Sequence, residues 1–350
     1  MQIRVPSAPR ASGPGSSVPG GFRDSSGWIR SADPDSRRAL LARGLLQSAA
    51  LVEILDRLSA AGIEALTFKG PALGLLLHGD ATSREADDID VLVRPRDFAG
   101  ARRIAESLGY AAGIALPGAS LRAPAGKTQI PFVRADGVVL DLHWRLAPPY
   151  DSFSLDDEDL FGESAEVLLE GRPVRVLGPD HHFLYLAFHG GKSLWKRARW
   201  VADIAEFLES GPPVDPIRVT AIAERTGALR MLALALELAR RVHGLPPGAA
   251  DAGWPTPDAE VRRMASLFHG ALRRGEAPCR DPSSETDLHL RMRERPRDRA
   301  RFLLGLSFTP TPREREMDRH GLLRPVTGGF RLAHSMAVQD RKSTRLNSSH

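Results

Sequence analysis

FKGPALGLLLHGDATSREADDIDVLV, running from Phe68 to Val93, is the stretch that decides the fold. Lys69-Gly70-Pro71 reads as a turn, and Pro71 suits the first position of a new helix. Ala72 to Leu77 is apolar and helical, and Gly79-Asp80 closes it. Asp88 to Val93 has the β-branched content of a strand, stopped by Arg94-Pro95. Residues i and i+2 of a strand share a face. Asp88 and Asp90 therefore project together, about 7 Å apart at their Cα atoms, and Ile89 points to the opposite, buried face.

Two carboxylates side by side repel each other, and a hard divalent cation between them reverses the sign. Mg²⁺ commonly takes one or two carboxylates plus substrate phosphates, so this pair points to a metal-bound triphosphate. A second stretch, VVLDLHWRL from Val138 to Leu146, sets Asp141 in an otherwise apolar strand. A carboxylate there is costly to bury unless paired or metal-bound. With its strand beside that of Asp88, Asp141 becomes the third carboxylate of a two-metal site, with ions about 3.5–4 Å apart. His143, two residues along on the same face, is expected to orient Asp141 or touch substrate, the structural role being favoured. Lys69, the Gly70 backbone and Arg84 are expected on phosphate, since free N–H groups at a helix start favour anions. The plain alternatives are a surface lysine for Lys69 and a salt bridge to Glu85 or Asp87 for Arg84. Asp87 has the wrong strand parity to join the pair.

Outward from these stretches, Leu40, Leu41, Leu45, Val52, Leu55 and Leu58 give an amphipathic helix ended by Ala61-Gly62. Residues 63–68 read as a short buried strand. Asp97 is expected to cap a helix through Leu108, and another strand follows near Tyr110. Segments 129–134 and 138–144 form a hairpin about Asp136-Gly137, and 167–169 with 174–177 form a second about Glu170-Gly171. From Asp180 the pattern turns helical, over 181–190, 197–209, 215–226, 228–243, 259–274 and 286–304. The expected organisation is a leader over 1–35, a mixed-sheet catalytic domain over 36–178, a helical domain over 179–305 and a tail over 306–350, an α+β protein. The leader, rich in Gly, Ser, Pro and Arg, reads as disordered, and RKSTRLNSSH at the end reads as non-native adaptor sequence.

The chain has 350 residues, 42% hydrophobic and 26% charged, in the range of a soluble globular protein. Its net charge of +5 allows anionic partners without requiring nucleic acid, and aromatics at 6% argue against stacking platforms for single strands. Cys279, the single cysteine, excludes an internal disulfide and a thiolate metal cluster, which fits a reducing cytoplasm. Neither a secretory signal nor an apolar run of about 20 residues is present, so no membrane partner is expected.

At this point the sequence resembles the polymerase-β-like nucleotidyltransferase superfamily, in its uncharacterised branch. The resemblance covers about residues 40–240, with the firmest matches at 66–110, 138–146 and 186–208, the last including HGGKSLWKRARWVADIAEFL. It implies a helix-start glycine at Gly70, the carboxylate pair at Asp88 and Asp90, and the third carboxylate at Asp141. Lys69-Gly70 stands where the superfamily usually has Gly-Ser, and the interval from Gly70 to Asp88 is longer than the common spacing. The resemblance further implies that the helical segment closes on the nucleotide, with His189 and Lys192, three apart on one helical face, on phosphate or acceptor. Their alternative is helix packing. Trp195 and Trp200 are expected in the core, and Asp203 is expected to pair with Arg199 at i, i+4.

The reading is a nucleotidyltransferase that uses Mg²⁺ (two ions, with Mn²⁺ an alternative) to move a nucleoside monophosphate from an NTP such as ATP to an acceptor hydroxyl, releasing pyrophosphate. A small-molecule acceptor is favoured over tRNA or protein. The rivals are an inactive nucleotide-binding or partner-binding module and a toxin-type transferase acting on tRNA or protein.

Overall fold

A computed structural model describes residues 34–113, 123, 127–148, 150–244, 252–279 and 281–308. Nearly all of the expected leader and of the expected tail lie outside the described residues, and the last two leader positions, Pro34 and Asp35, already begin a helix.

Helix α1 (Pro34–Ala60) leads into strand β1 (Ala65–Thr67), helix α2 (Gly70–His78), strand β2 (Ile89–Val93), helix α3 (Phe98–Ser107) and strand β3 (Ala111–Ala112). Strands β4 (Gln129–Val133) and β5 (Val139–His143) form the first expected hairpin, with Gly137 at φ 84° in its turn, and β6 (Ala165–Leu169) and β7 (Arg172–Val176) form the second. The short helix α4 (Asp157–Gly162) lies between the hairpins. Among the described residues, seven strands make one mixed sheet in the order β3-β4-β5-β2-β1-β7-β6. Its two parallel pairs, β2 with β5 and β1 with β7, bring together strands distant in sequence. The β2–β5 register sets Asp90 opposite Asp141 and Leu92 opposite His143.

Helices α5 (Pro179–Lys192), α6 (Ala198–Glu209), α7 (Pro216–Thr226), α8 (Leu229–His243) and α9 (Ala259–Arg274) follow, in close agreement with the sequence periodicity. Asp215 and Asp258 cap α7 and α9 by accepting from amides of their first turns. The expected single helix over 286–304 is two helices, α10 (Pro282–Arg291) and α11 (Pro296–Phe308). Pro296 has no N–H to donate and disfavours helical backbone before it, so the apolar period continues while the helix does not. Asp97 is also corrected. It precedes α3, but its φ of −93° and ψ of −7° are already helical, and its side chain makes no capping bond. A side-chain cap needs the extended backbone that Asp215 and Asp258 have.

Every residue of β2 is buried. The strand thus has apolar or helical cover on both faces, which accounts for its near-continuous Val/Leu/Ile content. One connected apolar core runs from α1 through the sheet into α5, α6, α8 and α9. Trp195 is buried in it, as expected, and Trp200 packs partly buried at its edge. Gly190 lies directly under Trp195, where a Cβ would come within 2.3 Å of the indole ring. Among the described residues no helix is long and apolar enough to cross a membrane.

Candidate active site

Adjacent strands in register bring the three expected carboxylates together. Asp90 on β2 and Asp141 on β5 are direct parallel neighbours, so both side chains leave the sheet on one face. Asp88 immediately precedes β2, and its carboxyl lies within hydrogen-bonding reach of that of Asp141. One donor atom each of Asp90, Asp141 and His143 fall within 4.8 Å of one another.

The three carboxylates differ in environment. Asp90 is fully buried. Its Oδ1 takes the Lys69 ammonium at 2.7 Å and His143 Nε2 at 3.0 Å, and its Oδ2 is buried with no hydrogen-bond partner. Burial opposes ionisation of Asp90, but Lys69 and His143 outweigh it and hold the carboxyl well below the usual carboxylate range. Lys69 shows the reciprocal effect: burial opposes its charge, and contact with Asp90 holds its ammonium above the ordinary lysine value. Asp141 is raised to about 7 by burial and by the negative charges of Asp90 and Asp88. Burial and Asp90 push Asp88 up as well.

The turn before α2 carries Lys69 into this cluster. Gly70 adopts φ 58°, and a Cβ on it would sit 3.0 Å from the Asp88 carbonyl oxygen. Only glycine lets the helix start lie flat against the first turn of the Asp88 strand. His182 Nε2 meets the Phe68 carbonyl at 2.6 Å and fixes the residue before Lys69. The Phe68 ring then stands edge-on to His143 at 5.1 Å and to Tyr185 at 5.0 Å.

His143 faces Asp90 rather than Asp141. Burial lowers its basicity in spite of Asp90, so the ring is neutral and Nε2–H donates to the carboxylate. Gln129, opposite His143 in the hairpin register, is the residue that bonds Asp141, through its side-chain amide to Oδ2. Sequence reading passed over Gln129 and Tyr185. The signal for Tyr185 was present: Tyr185, His189 and Lys192 lie at i, i+4 and i+7 on α5, one helical stripe. The fields of Asp90 and Asp141 act on both Tyr185 and Lys192, and that of Asp90 on His189, so the stripe lies over the cluster. Burial, then Lys69, lower the basicity of His189 and Lys192. His189 also packs edge-on against Trp200 at 5.2 Å.

Two expected pairings are redrawn. Arg84 reaches neither Glu85 nor Asp87, but makes a buried two-pronged ion pair with Asp203, Nε–Oδ1 and Nη2–Oδ2 both 2.7 Å. Asp203 is therefore not the partner of Arg199. Arg199 and Arg197 both hold Asp87, and Lys196 holds Glu285 at 2.6 Å. The physical reason is burial: Asp203 points inward at 1% exposure, where only a buried guanidinium neutralises it.

The donor set fits a hard divalent ion. It offers carboxylate oxygens, and Asp90 Oδ2 has no hydrogen-bond partner among the described residues.

A family model described as uncharacterised nucleotidyltransferase matches residues 30–244. The chain belongs to this nucleotidyltransferase family. The α+β sheet with flanking helices is thus that of a nucleotidyltransferase. Among solved structures, this nucleotidyltransferase is similar to the lincosamide antibiotic adenylyltransferase LnuA with lincomycin bound, at 18% identity and TM-score 0.33 over 45% of this chain and 94% of that one. It is similar to the antibiotic-resistance factor ANT(2'')-Ia at 19% identity and TM-score 0.35, over 57% and 95% of the two chains. An antigenic nucleotidyltransferase-like protein from Paracoccidioides brasiliensis aligns at 16% identity and TM-score 0.36, over 62% and 97%. No curated protein matches the sequence.

Proposed function

We propose that this nucleotidyltransferase moves a nucleoside monophosphate from an NTP, with ATP the first to try, to a hydroxyl of a small molecule, with Mg²⁺ held by Asp88, Asp90 and Asp141. The observation that carries the reading is the in-register Asp90–Asp141 pair, with Asp88 beside it, on adjacent buried strands. Bound there, Mg²⁺ would neutralise triphosphate charge and lower the barrier to pyrophosphate departure. The chain's own groups do the rest. Asp141, held through Oδ2 by Gln129, accepts the acceptor's hydroxyl proton. Gln129 and His143 hold Asp141 and Asp90 in orientation. The amides at the start of α2, beginning with Gly70, favour phosphate. Lys192 has no ion-pair partner among the described residues other than what enters the site, so its ammonium is available to phosphate, with His189 beside it. Arg84 serves the site indirectly, holding the loop before Asp88 to α6 through Asp203.

A small-molecule acceptor is favoured over tRNA or protein because the basic segment is already engaged. Lys196, Arg197 and Arg199 are engaged with Glu285 and Asp87, so this segment does not offer them as a free run of cations to a polyanion. Pyrophosphate release, measured for each NTP with Mg²⁺ over a panel of hydroxylated acceptors, tests the reading. Asp88→Asn should reduce release to background, and Asp141→Asn should cost about 10²–10⁴-fold. Full activity in either variant would refute the carboxylate roles, and NTP binding without release across the panel would favour a binding module.

A further inference from the structure

We propose that Lys69 is a tethered cation that permanently fills one of the positive-charge positions of the carboxylate cluster, so that the site takes one divalent ion of its own rather than two. The inference rests on the metal reading above and deepens it.

Geometry carries it. The ammonium sits 2.7 Å from Asp90 Oδ1, and that same oxygen accepts from His143 at 3.0 Å. This oxygen is therefore fully committed on the protein side, and Asp90 can offer an ion only Oδ2, the buried oxygen without a partner. Lys69 has little freedom to leave. Its neighbour Phe68 is held at its carbonyl by His182 and at its ring by His143 and Tyr185, and its other neighbour, Gly70, lies against Asp88. The side chain is only 15% exposed, so swinging out would strand Asp90 as a buried, uncompensated carboxylate. Charge agrees with geometry. Lys69 already neutralises Asp90 from within the protein, which lowers the demand of the cluster for a second divalent ion. A lysine ammonium is a compact point charge, suited to standing where an ion would otherwise stand. Sequence reading expected Lys69 on the triphosphate. The structure turns it into the carboxylates.

The test counts ions rather than turnover. Mn²⁺ titrated into the full-length chain without nucleotide, followed by electron paramagnetic resonance of the free ion, should give one site per chain. Lys69→Met, neutral and of similar length, should give two, and Lys69→Arg should return the count to one. A melting curve on each variant reports whether it is folded. Two sites in the unaltered protein would overturn the proposal without need of any variant. A folded Lys69→Met chain with the same count as the unaltered protein would overturn it too, as would no Mn²⁺ binding in either. Pyrophosphate release on the same samples separates the two ideas. A change from one site to two with no transfer to any acceptor would leave Lys69 as the tethered cation and remove only the enzymatic reading.

Discussion

At the scale of the residue, Asp88 and Asp90 are not a matched pair. Sequence parity treats them alike, and substitution of either would be expected to spare the fold. The structure separates them: Asp90 is wholly buried between Lys69 and His143, whereas Asp88 is only partly buried. Asp90→Ala leaves a buried ammonium without its counter-ion, which costs about 3–5 kcal/mol. Asp88→Ala relieves repulsion with Asp90 and should change stability by less than about 1 kcal/mol. Urea unfolding of the two variants measures the difference, and equal losses would contradict the burial argument. The three carboxylates were legible because an acid in an apolar strand is expensive and demands a reason. Gln129 and Tyr185 carried no such flag: a glutamine at a strand start and a tyrosine in an apolar helix are ordinary until the strands and α5 are set side by side.

At the scale of the element, local signals were read well and long-range ones were not. The Asp136-Gly137 turn announces its hairpin, and the period of 3.6 marks α5 to α9. Nothing local announces that β2 pairs with β5, or that Arg84 meets Asp203 across 119 residues. That ion pair joins the loop before β2 to α6. Removing one partner should cost about 3–5 kcal/mol. Asp203→Ala should thus destabilise strongly, and Arg84→Met/Asp203→Leu should recover much of the loss, both seen in chemical denaturation. If the double variant is no better than the single, the pair is not a closed unit. A second junction, His182 to the Phe68 carbonyl, gives a pH dependence. Burial lowers the His182 pKa from 6.5 to about 4, against the pull of its bond to Phe68. The unfolded chain therefore binds the extra proton first as pH falls. The stability contribution is complete above pH 6.5 and declines between 6.5 and about 4, by up to about 1.4 kcal/mol per pH unit. His182→Gln keeps a donor near Phe68 but cannot titrate, so its stability at pH 7, 5.5 and 4.5 should fall less steeply than that of the unaltered protein. Parallel slopes would remove His182 as a source.

At the scale of the whole molecule, the family match ends at residue 244, yet the fold continues. Composition and periodicity show that helices follow, but not that they return to the sheet half that carries the carboxylate cluster. One returning contact is an ion pair whose partners lie 142 residues apart: Arg293, between α10 and α11, donates to Asp151 in the segment after β5. Both side chains are almost fully buried, at 3% and 4% exposure. Arg293 also stacks on Phe302, 3.8 Å from the ring centroid, and donates to the His289 carbonyl at 2.6 Å. One side chain thus pins α10 and α11 to each other and to the chain leaving the Asp141 strand. Asp151 further acts on Lys192, so the pin reaches the stripe over the active site. Arg293→Ala leaves Asp151 buried without a cation and removes the stacked guanidinium, a loss of about 3–5 kcal/mol by the same reasoning as for Arg84. If the helices beyond 280 stabilise the catalytic half, that loss should appear as a lower single unfolding transition for the whole chain. If they are an appendage, the main transition should stay in place and only a small early one should move. Differential scanning calorimetry of Arg293→Ala beside the unaltered protein distinguishes these outcomes, and the buried Asp151 predicts the first.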